Sequence, residues 1–162
     1  MAEVSQIAAS PIPPHSIATA SIDDKGRMKL PTEFTAYWKA IGVSNVFITT
    51  MDLQLARVYP ISVWEENEKL AEQNTTNPER AERMMMRAKA LGGDDEVDSS
   101  GRVLLPAELR KRLGLEKQQV HVEMQRNGCV NVMSKKVFEE RFSASLVDGA
   151  EDWKAVRREG WK

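Results

Sequence analysis

Apolar positions follow the same order of periods twice along this chain. In the first half Ile17, Thr19 and Ser21 alternate as in a short strand, Gly26 permits the positive φ of a tight turn, and Met28 to Leu30 form a second short strand. Phe34, Trp38 and Ile41 then fall on one face of a helix that starts at Pro31, a residue that loses no hydrogen bond at a first helical position. Gly42 suits the left-handed position after that helix, with Val43 placed to fold back on its last turn. The second half repeats this order with Val97, Gly101, Val103 to Leu105, Pro106, Leu109 and Leu113, and then Gly114 with Leu115. Its helix is about a turn shorter. Two further strands close each half, over 45–50 and 55–59 and over 119–125 and 129–133. Asn127-Gly128 is a strong hairpin turn for the second pair, whereas the first pair has no glycine between its strands.

The duplication extends to individual residues. "SIDDKGRMKLPTEF" lies over "EVDSSGRVLLPAEL", with Asp23 over Asp98, Gly26 over Gly101 and Arg27 over Arg102, and "VYPISVWEE" lies over "VMSKKVFEE" after a one-residue slip. Between the halves, Ser62-x-x-Glu65 reads as a capping box opening one helix and Asn77-Pro78 opens another, together an αα-hairpin. Met84, Met85 and Met86 point to different helical faces, which favours packing over metal binding. The divisions expected are an extended arm over 1–15 containing Pro11, Pro13 and Pro14, a first repeat over 16–60, a helical bridge over 61–92, a second repeat over 93–142 and a tail over 143–162. The tail reads either as an amphipathic helix carrying Trp153 and Val156 or as flexible chain.

Composition narrows the function classes. At 162 residues, 41 % hydrophobic and 29 % charged, the chain is long enough for one shared core. The formal net charge of −1 gives no global attraction to nucleic acid, so any such binding has to come from a local patch. Cys129 is the single cysteine and fits a small buried hydrophobe in a reducing cytosol. No signal peptide or membrane span is indicated, and no cofactor fingerprint is present. His15 and His121 lack a neighbouring nucleophile or metal-ligand spacing, and the carboxylates of "GGDDEVD" read as a solvated helix exit and strand start. An enzyme is the class least supported.

The repeated turn carries the most chemistry. Asp23 and Asp98 suit turn-bracing, accepting backbone N–H groups and an arginine. Lys25, Arg27 and Lys29 gather positive charge around Gly26, where the backbone could approach a phosphate closely. Arg27 and Arg102 have the side chain best shaped for bidentate contact with phosphate or guanine. Ser100 stands where the first copy has Lys25, and Thr35 stands where the second copy has Arg110. The first turn is therefore the stronger DNA candidate, and Arg102 the weaker arginine.

The paired "DDKGRMKLP" and "DSSGRVLLP", "YPISVW", the helical bridge and "RAKALGGDDEVDSSGRVLLPAELRKRLGL" resemble the MraZ family, whose members carry two AbrB-type (SpoVT/AbrB) domains in one chain. The resemblance implies an α+β fold in which two swapped-hairpin repeats intertwine into one β-barrel-like pseudo-dimer. It also implies a cytoplasmic, nucleoid-associated DNA-binding regulator that assembles as a homo-oligomeric ring on double-stranded DNA. Such a ring would read short direct repeats near a cell-division and cell-wall gene cluster through Lys25, Arg27, Lys29 and Arg102, with Asp23, Gly26, Asp98 and Gly101 as structural residues. No membrane, small-molecule substrate or cofactor is implied. The rival reading is an AbrB-type antitoxin or protein-binding module whose tail, "EDWKAVRREGWK", engages a partner protein.

Overall fold

Two glycine turns make the defining reversals of the chain. Gly26 and Gly101 take φ of +88° and +77°, a region glycine enters without steric cost. In a computed structural model that describes residues 11–162, β1 (Ala18–Ile22) returns through the Gly26 turn as β2 (Arg27–Lys29), and α1 (Thr32–Ile41) follows. The hairpin β3 (Asn45–Thr49) and β4 (Ala56–Pro60) leads into α2 (Ile61–Glu72) and α3 (Pro78–Leu91). The order then recurs as β5 (Gly93–Glu96), β6 (Arg102–Leu104), α4 (Ala107–Leu113), β7 (Gln119–Met124), β8 (Val130–Met133) and α5 (Lys135–Ser145), with α6 (Gly149–Arg158) at the end. Residues 1–10 of the expected arm lie outside the described residues.

The strands form one antiparallel sheet in the order β5-β3-β4-β8-β7-β1-β2-β6. Four of its seven ladders join a strand of one repeat to a strand of the other: β1 to β7, β2 to β6, β3 to β5 and β4 to β8. Neither repeat therefore completes a sheet alone. The two end strands, β5 and β6, are joined by the Gly101 turn, where Asp98 N–H donates to the Arg102 carbonyl (3.1 Å) and Leu104 N–H to Asp95 Oδ2 (2.7 Å). These bonds bring the sheet's ends together into a nearly closed barrel, the α+β arrangement the sequence implied.

One core serves both repeats. Phe34 and Trp38 of α1, Leu109 of α4, Met28, Val103, and the valines of β7 and β8 pack in a single buried cluster. Trp38 also donates Nε1–H to the Gly128 carbonyl of the second hairpin at 2.8 Å, so this large ring is buried with its polar atom satisfied. A second, smaller cluster lies under the helical bridge, where Phe47 stacks on Trp64 with centroids 4.4 Å apart beside Tyr59, Ala88 and Cys129.

Helix ends follow the sequence with two corrections. Gly42 and Gly114 are left-handed C-caps, and Val43 and Leu115 fold back to hydrogen-bond the Trp38 and Arg110 carbonyls. Pro31 and Pro106, however, occupy the N-cap, one residue before the position expected of them; their missing N–H costs as little there. The Ser62–Glu65 capping box is absent because α2 begins at Ile61 behind Pro60, which puts Ser62 inside the first turn with no cap to make. At α3 the Asn77 side chain does accept from Arg80 N–H (3.0 Å), with Pro78 in the first turn. The first hairpin replaces glycine with Leu53 at φ +60° and with Asp52, whose Oδ1 accepts the Gln54 and Leu55 N–H groups. The tail is helical from Gly149 to Arg158, which decides between the two readings of it.

Because both repeats share the core, truncating Phe34 damages both at once. Phe34→Ala is expected to lower unfolding free energy by about 3–5 kcal/mol in urea denaturation, in one cooperative transition. A loss below about 1 kcal/mol, or two separate transitions, would contradict a single shared core.

Candidate nucleic-acid interface

Each turn is built around an aspartate. Asp23 Oδ1 accepts the N–H groups of Lys25 and Arg27, both at 2.9 Å, while Asp23 Oδ2 accepts Arg27 Nε at 2.8 Å. Asp98 does the same for Ser100 N–H, Arg102 N–H and Arg102 Nε, each at 2.9 Å. The Arg27 and Arg102 backbone N–H groups are the main cause that lowers the carboxyl pKa of Asp23 and Asp98 respectively, followed among the favourable causes by the guanidinium bonds. The side chains of Arg27 and Arg102 are similarly exposed, at 36 % and 34 %. Both arginines are thus held by Nε alone in these pairs, which leaves the Nη groups of each outside the ion pair. In geometry the two copies are equivalent, although the sequence made Arg102 look the weaker.

The turns do not offer a backbone cradle. The Lys25 and Arg27 N–H groups are spent on Asp23 Oδ1, and Gly26 N–H donates to the Asp23 carbonyl at 3.1 Å; Ser100, Gly101 and Arg102 are committed in the same way. These six amides are committed within the turns, which limits the close backbone approach that Gly26 had suggested.

Strand pairing then brings the two turns onto one ribbon. β2 and β6 run antiparallel with Arg27 opposite Leu104, Met28 opposite Val103 and Lys29 opposite Arg102. Met28 and Val103 are buried, so alternation puts Arg27, Lys29 and Arg102 together on the outer face beside half-exposed Leu104. Lys29 therefore faces Arg102 across the ladder, although in sequence it groups with Lys25 and Arg27. Two like charges directly opposite each other oppose pairing. Reciprocal bonds hold the ribbon: Leu30 N–H donates to the Gly101 carbonyl and Leu105 N–H to the Gly26 carbonyl, both at 3.0 Å.

Each turn is covered by the helix of the opposite repeat. The Arg110 guanidinium of α4 occupies the space a side chain on Gly26 would need, and Thr35 of α1 sits 3.1 Å from the corresponding position on Gly101. Sequence comparison of the repeats had paired Arg110 with Thr35 but could not place either on the other repeat's turn.

The remaining titratable candidates lie elsewhere. Burial pushes the Cys129 thiol up to about 12, which suits the packing role expected of it. His121 stacks on Phe138 with centroids 3.7 Å apart. Among the described residues no cluster of three or more His, Cys, Asp or Glu side chains could hold a metal ion, and no helix is long and apolar enough to cross a membrane.

Comparison with known proteins gives a consistent result. The chain is 33 % identical over 140 residues to the transcriptional regulator MraZ of Acidobacterium capsulatum, an alignment covering 86 % of this chain and 93 % of that protein. It is 35 % identical over 107 residues to MraZ of Thiobacillus denitrificans, covering 65 % of this chain and 72 % of the other. With MraZ of Thermomicrobium roseum it shares 36 % identity over 106 residues, covering 64 % and 70 %. No protein-family model matches.

The turn aspartates generate a pH prediction. Their folded pKa values are lowered, so the stability they contribute is present above the ordinary carboxylate range and is lost as pH falls through the folded values. An Asp23→Asn/Asp98→Asn variant should melt below the wild type at pH 7, and the gap should begin to shrink near pH 4, where the unfolded carboxyls protonate, and close as pH falls through the lowered folded values. A gap that is constant from pH 7 to the acid limit would contradict charged bracing.

Proposed function

The chain belongs to the MraZ family of transcriptional regulators, and on that premise we propose that it is a sequence-specific DNA-binding regulator whose contacts come from the β2–β6 ribbon and its two braced turns. The observation that carries this reading is the placement of Arg27, Lys29 and Arg102 on one outer face. A major groove admits a two-stranded β-ribbon, and arginine is suited to the acceptor pair of guanine and to phosphate alike. Local charge of this kind suffices where the protomer as a whole is nearly neutral. The relatives are named as regulators, and no reaction is proposed.

The finer proposal concerns assembly. We read residues 16–60 and 93–142 as the two repeats of one binding unit, and copies of that unit as joining head to tail in a ring. A heterologous ring presents one face repeatedly in a single orientation, which matches short direct repeats rather than a palindrome. Effective concentration then strengthens the contacts of each weakly charged protomer. Exposed apolar residues such as Leu70 and Met86 on the bridge and Phe142 on α5 are available for such contacts. The operator proposed is a set of direct repeats at the promoter of a cell-division and cell-wall gene cluster, which would put the protein at the nucleoid.

Selecting bound fragments from random DNA tests the reading and yields both motif and spacing. On the selected fragment, Arg27→Ala should weaken binding by about 1–3 kcal/mol and flatten its salt dependence without unfolding the protein. Unchanged affinity would remove the assignment. For assembly, mass measurement at micromolar concentration should show a closed oligomer, and a purely monomeric protein would reject the ring.

A further inference from the structure

The C-terminal helix presents an apolar face that its own chain leaves uncovered. On α6, helical spacing puts Asp152, Trp153, Val156 and Arg157 on one side. No residue of α6 is buried, and Trp153 is 45 % exposed. Among the described residues, the ion pair of Lys154 with Glu151 and the stacking of Arg157 over Trp153 both lie within the helix itself. Ten residues with so little burial are marginal as a helix in water, so this face needs a partner surface.

A groove of matching character lies on the helical bridge. Between α2 and α3, Met51, Leu70, Ala81, Met84 and Met85 line a groove of about 190 Å³, and Leu70 stands 65 % exposed at its rim. Methionine side chains adapt to an aromatic ring and attract it. The two ends of the groove differ in charge. Arg80 lines the end next to the α2–α3 connection, where Asn77 Oδ1 accepts its N–H and Asn74 Oδ1 accepts that of Asn77. At the other end, one turn before Leu70 on α2, Glu66 is exposed. The charges of α6 run in the complementary order, with Glu151 and Asp152 in its first turn and Arg157 and Arg158 in its last.

We propose that α6 of one copy docks in the α2–α3 groove of a second copy of this chain, antiparallel to α2. Trp153 packs against Leu70, Met84 and Met85, Asp152 faces Arg80, and Arg157 faces Glu66. The inference rests on the assembly reading above and names the segment that joins the copies. Charge order selects this occupant: with its direction reversed, the same helix would set Arg157 against Arg80 and Asp152 against Glu66. A tail and a groove at different places on one chain make the contact heterologous, as head-to-tail joining requires.

The test compares the mass in solution, over a range of micromolar concentrations, of the wild-type chain, Trp153→Glu and Leu70→Arg; both altered side chains are exposed. Each variant should need at least about tenfold more protein to assemble than the wild type, as loss of a central aromatic or apolar anchor does at an interface. An equal mixture of the two should form a two-chain complex, because the intact tail of Leu70→Arg fits the intact groove of Trp153→Glu. Should Leu70→Arg not fold, Glu66→Arg takes its place, and adding Arg157→Glu to that chain should restore assembly. If the wild type is monomeric throughout, the ring reading fails and this inference with it. If the wild type assembles and Trp153→Glu assembles equally well, the ring stands, the tail serves another partner, and the proposal is overturned. A groove variant that assembles like the wild type, or a mixture of two monomeric variants that yields no two-chain complex, overturns it as well.

Discussion

The backbone ladder between Arg27–Lys29 and Arg102–Leu104 is the constraint on which the rest of the molecule depends. Each strand is only three residues long, too short to be stable on its own hairpin, and each lies beside a turn that needs the opposite repeat for cover. Pairing the strands buries Met28 against Val103, lets Leu30 and Leu105 complete their hydrogen bonds, and commits the flanking helices α1 and α4 to one core. A single repeat would leave β1, β3 and the ribbon strand with open edges. Duplication within the chain supplies the missing partners at high effective concentration.

The same ladder imposes an electrostatic cost. It sets Lys29 opposite Arg102 and leaves Leu104 half-exposed next to Arg27, choices that a strand selected for stability alone would avoid. An anionic partner on that face, as proposed, would remove the repulsion. The aspartates act one layer below: by taking the turn amides and one guanidinium nitrogen, they fix where the arginines stand and free the remaining nitrogens for a partner. Fold and proposed binding surface are therefore made by the same few bonds.

Local chemistry was legible in the sequence, and relations between the repeats were less so. Gly26 and Gly101, the stops at Gly42 and Gly114, the Asn77-Pro78 start and the Asn127-Gly128 turn all depend on neighbouring residues, and they stand where local rules put them. Ser62 failed because a proline two residues earlier started the helix first. β5 is a strand although it reads Gly-Asp-Asp-Glu, a composition with low strand preference; its pairing with Asn45–Ile48 of β3 overrides that preference. For the site, the candidate residues could be named from their chemistry, but the register that puts Lys29 with Arg102, and the crossing that puts Arg110 on Gly26, are long-range consequences of interleaving. Without the pairing of β2 with β6, the two motifs read as separate sites of unequal strength.

That both turns act as one surface is best tested by hydrogen–deuterium exchange of the full chain with and without its selected DNA. Peptides spanning 23–30 and 98–105 should gain protection together and at the same DNA concentration, with little change over α2, α3 and α6. Protection confined to one turn, or centred on the helical bridge or the C-terminal helix, would contradict a shared ribbon as the DNA-binding surface.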